Sequence, residues 1–158
     1  MTALRFFMLL SLVAWIGGLI FFSFVVAPAA FAIAPTRQLA GAIVGRCLAA
    51  LHWIGLGAGV VFLGTSMAYS SLKLGRAEAL APRHLAVYVM LLLTLASQFG
   101  VSPRMHQLRA EMVEIDKIPQ SDARRVEFNS LHVWSTTLEG GVFLLGLVAL
   151  ALTARRLQ

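Results

Sequence analysis

Residues 6–27 read FFMLLSLVAWIGGLIFFSFVVA, 22 residues without a charge. A helix needs roughly 20 apolar residues to cross about 30 Å of hydrocarbon. This stretch meets that length, and the apolar core of a secretory signal, about 7–15 residues, does not reach it. Arg5 before it and Ala30-Phe31-Ala32 after it imitate the flanks of a signal peptide. The length favours a membrane anchor.

The pattern repeats along the chain. Between Arg5 and Arg37 lie 31 uncharged residues, between Arg46 and Lys73 another 26, and between Arg83 and Arg104 another 20. From Glu127 to Arg155 there are 27 more, broken only by Glu139. Of the 158 residues 59% are hydrophobic and 13% charged. An ordinary soluble domain is about a quarter charged, and disorder needs low hydrophobicity with high charge. The windows lack the period-2 alternation of barrel strands, and a spanning backbone must bond internally. The expected fold is therefore all-α: an integral membrane four-helix bundle in one domain, with spans at about 4–27, 47–72, 84–102 and 128–154.

Net charge is +6. The Lys and Arg residues sit at helix ends and in loops, where they orient the chain and meet headgroups. No basic stripe interleaves with aromatics, so nucleic acid is not an expected partner; the lipid bilayer is. The side with both termini holds Arg5, Lys73, Arg76, Arg83, Arg155 and Arg156 against Glu78 alone. Across the membrane, Arg37, Arg46, Arg104, Arg109, Lys117, Arg124 and Arg125 face Glu111, Glu114, Asp116, Asp122 and Glu127. A Lys/Arg count does not decide, but the termini side has the cleaner positive excess. Both termini are expected in the cytoplasm of a bacterial inner membrane. Cys47 is the only cysteine, which excludes an intramolecular disulfide and a cysteine metal cage.

Local signals set the element boundaries. Pro28 and Pro35 bracket a short stretch expected as a kinked continuation or re-entry turn. Thr36 to Arg46 reads as a short amphipathic piece before the second helix. Gly55 and Gly59 form a GxxxG spacing, suited to packing within the chain or to a homo-oligomer or larger complex. Pro82 can open the third helix and Pro103 can kink it. Met105, Leu108, Met112 and Ile115 then share one face, extending that helix to about Ile115. Ile118-Pro119-Gln120 reads as a turn, with Ser121 or Asp122 capping the fourth helix. From Ser121 to Ala154 that helix would span roughly 51 Å, so helices three and four should form a protruding hairpin.

The fourth helix carries the chemistry. Asn129, His132, Ser135, Thr136 and Glu139 fall on one face. Glu139 lies roughly 18 Å along the axis beyond Glu127, near the bilayer middle. An ionised carboxylate there must face the bundle and be paired, protonated or hydrated. This polar stripe is either a ligand, proton or metal site, or a hydrogen-bonded network gluing helices for about 0.6 kcal/mol each. His52 and His132 enter their spans from the same membrane face, at similar depth, and the hairpin sets His106 near His132. Imidazoles suit haem iron, copper or zinc, so His52 and His132 are candidate cofactor ligands and His52, His106 and His132 candidate metal ligands. The alternative is that they only hydrogen-bond. His84, across the membrane, is expected at the interface. No nucleophile elbow, phosphate loop or HExxH motif is present, which argues against an enzyme.

The stretch from Trp15-Ile16-Gly17-Gly18 through Pro28 to Phe31, and Ala40-Gly41 through Gly45, resemble small bacterial membrane proteins grouped with transmembrane protein 205 of animals. The last span is similar to that family's ending, His132 with Ser135 three residues on; the family has Asn where this chain has Glu139. The resemblance implies a four-helix membrane protein. It extends distantly to copper-resistance protein D and to membrane protoporphyrinogen oxidases that bind haem b. Those relatives place a His early in the first helix, whereas this chain's first histidine is His52.

Two readings follow. One is a non-catalytic accessory or structural membrane subunit, or a small module with a ligand. The other is a haem- or copper-binding membrane protein using His52 and His132 in metal handling or electron transfer. A proton-linked transporter centred on Glu139 is a third idea, and it would need an oligomer.

Overall fold

A computed structural model describes residues 1–112 and 115–157. Four helices are long and apolar enough to cross a membrane: α1 (Thr2–Ile33), α2 (Arg37–Leu74), α3 (Pro82–Glu111) and α4 (Ala123–Arg156). The chain is an all-α bundle and a multi-pass membrane protein. Each helix packs on its neighbour in sequence, and α1 returns to α4 to close the ring.

Prolines shape two of the helices without ending them. Pro28 and Pro103 each remove an N–H and push on the carbonyl four residues back. A wide π-turn precedes each, at Phe22–Val26 in α1 and at Ala96–Val101 in α3. Such a turn lets the helix run on past the missing bond. Pro35 does end α1: Ala34, just before it, is extended at φ −66° and ψ 137°, as a residue preceding proline prefers. The Thr36 hydroxyl then accepts the Leu39 N–H at 3.1 Å and caps α2. The amphipathic piece from Thr36 to Arg46 is thus the start of one 38-residue helix.

Trp15 locks α1 against α2. It lies across the notch of Gly55 and Gly59, where a methyl group on Gly59 would sit 2.9 Å from the indole. The GxxxG spacing is occupied from within the chain. Around it Met8, Leu12, Ile16, Phe62, Val87, Met90 and Val142 form the main core.

A buried polar cluster ties the termini end together. Arg83 donates to the Ser66 and Ser70 hydroxyls at 2.9 and 2.7 Å. Glu78 pairs with Arg156 at 2.8 Å. The His84 ring contacts Ser66 and the Glu78 carbonyl, both at 2.7 Å. His84 is fully buried within the bundle, where these partners engage both ring nitrogens.

At the opposite end Leu108, Met112 and Phe128 make a second small core. Below it a 3₁₀ turn at Ile115–Lys117 leads to α4. The Asp122 carboxylate accepts the Arg124 N–H at 2.9 Å and serves as the expected cap. Residues 113–114, which the expected extension of α3 to Ile115 would cross, and Glu114 among the loop acids lie outside the described residues.

Candidate functional site

A cavity of about 680 Å³ opens between the outer half of α1, the start of α2, the end of α3 and α4. Its existence follows from how α1 spends its apolar surface. Met8, Leu12, Trp15, Ile16 and Leu19 are buried, and none of residues 22–33 is. The outer half of α1 therefore packs only partly on the bundle, against α2. Its Phe22, Phe24 and Phe31 wall the cavity on one side, opposite Leu48 of α2 and Phe143 of α4.

The polar stripe forms another wall. Asn129, His132, Ser135, Thr136 and Glu139 all line the cavity. Their common helical face brings them there together. Thr136 returns its hydroxyl to the carbonyls of His132 and Val133 at 3.1 and 3.0 Å, a local bond that leaves its methyl toward its surroundings.

Glu139 sits at the midpoint of α4 and at the inner end of the cavity. One carboxylate oxygen lies 2.6 Å from His52 Nε2. His52 Nδ1 lies 2.7 Å from the amide oxygen of Gln98. Three helices thus meet in one chain of hydrogen bonds: Gln98 on α3, His52 on α2, Glu139 on α4. His52 is 2% exposed and Glu139 16%.

An amide oxygen only accepts, so His52 Nδ1 carries a proton and donates to Gln98. One further proton is shared between Nε2 and the carboxylate. The pair is then either imidazolium with carboxylate or neutral imidazole with carboxylic acid. Both arrangements are neutral overall, which makes the pair tolerable within a bilayer.

The histidines divide. His106 and His132 line the cavity with Glu139. His52 stands behind Glu139, its two ring nitrogens engaged. Among the described residues no three His, Cys, Asp or Glu side chains are grouped to hold a metal ion.

Several residues at or behind the cavity escaped the sequence reading. Gln98 was visible as a lone amide in an apolar window, but nothing in the sequence turns it toward His52. Gln38, Arg109 and Arg125 line the outer end and read in sequence as ordinary loop-side residues.

The fold and this site define a helical membrane bundle with a mostly apolar cavity edged by a polar stripe. Residues 10–114 match a family described as a domain of unknown function (DUF4149), and the chain belongs to that family. The match takes in His52 and Gln98 and stops before α4, so Glu139 lies beyond it. No curated protein and no solved structure matches the chain.

Proposed function

We propose that this protein is a non-catalytic membrane module, acting alone or as an accessory subunit, that holds a membrane-soluble ligand in the cavity beside the α4 stripe. One observation carries the reading: a space of about 680 Å³ combines aromatic walls with a line of polar groups ending at Glu139. Ligand sites are typically ~300–1,000 Å³, mostly apolar, with a few placed polar groups. A stripe serving only as helix glue would be closed against a neighbouring helix.

The test uses Gly140, which lines the cavity and has open space where a Cβ would go. The Gly140→Phe variant should keep its helical circular dichroism and thermal midpoint while losing the small molecules that co-purify with the wild type, as read by mass spectrometry of solvent extracts. Wild-type protein that emerges from mild detergent without a stoichiometric small molecule overturns the proposal.

A second reading places haem b or copper on His52 and His132 with His106. It is supported by His106 and His132 sharing one cavity, and by the resemblance to copper-resistance protein D. It requires His52 Nε2 to exchange Glu139 for a metal. A Soret band or stoichiometric copper in purified protein would favour it; the lack of both removes it. We further assign the termini to the cytoplasmic side of a bacterial inner membrane, from the cleaner positive excess on that side.

A further inference from the structure

The outer end of the cavity is lined by cationic side chains. Arg109 and Arg125 both line it. Arg109 donates to the Gly41 carbonyl at 2.6 Å, and its guanidinium lies 5.3 Å from the centre of the Phe128 ring. Gly41 makes room for this: a Cβ there would stand 2.9 Å from a guanidinium nitrogen. Arg125 donates to the Ile115 carbonyl at 3.1 Å and to that of Ile118. Among the described residues neither arginine forms an ion pair. A guanidinium has five N–H donors, so both keep donors to offer.

Gln38 stands beside them. Its amide nitrogen donates to the Arg109 carbonyl at 2.8 Å. Its amide oxygen is buried and, among the described residues, has no hydrogen-bond partner. A buried acceptor left alone is costly, and native structures rarely leave one so. The mouth thus presents donors for an anion and an acceptor for a hydroxyl or amine. Inward from it the walls are aromatic, and Arg125 and Glu139 stand about 21 Å apart along the helix axis. Asn129 and His132, one and two turns inward on α4, can meet ester oxygens. Because much of the outer half of α1 is exposed, with Phe24 at 75%, a chain can enter sideways from the bilayer.

Resting on the ligand-holding reading above, we propose that the ligand is a phosphate-bearing membrane lipid. Arg109 and Arg125 take the phosphate oxygens, a geometry guanidinium groups favour. A hydroxyl of the headgroup donates to the Gln38 amide oxygen, and an acyl chain lies against Phe24, Phe31 and Phe143.

The experiment offers delipidated protein in neutral detergent an equimolar mixture of phosphatidylglycerol, phosphatidylcholine and diacylglycerol with identical acyl chains. Bound lipid is read by native mass spectrometry, with inorganic phosphate alone as a separate arm. Phosphatidylglycerol should be retained one to one and at least about tenfold over diacylglycerol, as expected for charge-assisted bonds. Phosphatidylcholine, whose choline has no N–H or O–H, should fall between. Arg125→Gln should erase most of the preference over diacylglycerol. Gln38→Leu, which keeps every charge, should reduce the preference for phosphatidylglycerol over phosphatidylcholine. Equal retention of all three lipids overturns the headgroup assignment and leaves the cavity reading standing. Retention of none by the wild type overturns the cavity reading itself. Binding of inorganic phosphate without any lipid overturns the lipid as the source of the anion.

Discussion

His52 shows what a single buried side chain demands. Its two nitrogens face Gln98 and Glu139 from two other helices, and removal of either partner strands a polar atom out of reach of water. Replacing Glu139 or Gln98 by Leu should each cost about 1–3 kcal/mol, read as a lower thermal midpoint in detergent. Glu139→Gln can donate an amide N–H to Nε2 of the neutral ring and should fall between Leu and wild type. Midpoints of all three variants equal to that of the wild type would show that the chain of bonds carries no stability.

A second residue-scale expectation concerns acid. Asp122 lies outside the spans, and the Arg124 side chain holds its carboxyl at about 2, below the usual 3.8. The folded value is the lower one, so its stabilising effect on the start of α4 is complete above the unfolded value. That effect disappears as pH falls through about 2. The Arg124 amide resonance should therefore titrate near pH 2, and Asp122→Asn should abolish the transition. A midpoint near 4 would mean that the cap is not formed.

At the scale of elements, the glycines of α2 do different work on different faces. Gly59 faces Trp15 and Leu91 closely, whereas Gly57 has nothing within 4 Å of a would-be Cβ. Gly59→Leu should cost roughly 1–3 kcal/mol by overpacking, and Gly57→Leu, on the exposed face, should leave the thermal midpoint nearly unchanged. Similar losses at both positions would mean that the notch is not what joins α1 to α2. The prolines teach the complementary lesson. Pro28 and Pro103 were readable as irregularities, but whether the chain would turn back or run on was not. The π-turns ahead of them absorb the misfit locally, and neighbouring helices hold the continued axis in place.

Over the whole molecule the usual arrangement is inverted. Phe24 is 75% exposed and Ile33 82%, as residues facing acyl chains should be, while Arg83, His84 and His52 are buried among helices. Four crossings return the chain to the side on which it began. Reporter fusions at the two ends should therefore give the same signal, opposite to that of a reporter inserted beside Lys117. Opposite signals from the two ends would remove one of the four crossings.

Four helices long and apolar enough to cross a membrane, and the polar face of α4, are properties of the sequence alone, because the cost of carrying charge or an unbonded backbone through hydrocarbon acts on each segment separately. So is the grouping of Asn129, His132, Ser135, Thr136 and Glu139, which needs only the pitch of one helix. Which groups face that stripe is a matter of how four helices rotate about their axes, and no single segment encodes it. The tertiary structure decided that Gln98 rather than a second histidine completes the His52 bonds. It decided that His84 lies inside, and that α1, having spent its buried surface by Leu19, leaves room for a cavity. Each of these outcomes depends on close packing, where Trp15 in the Gly55–Gly59 notch sets the angle at which everything beyond it must diverge.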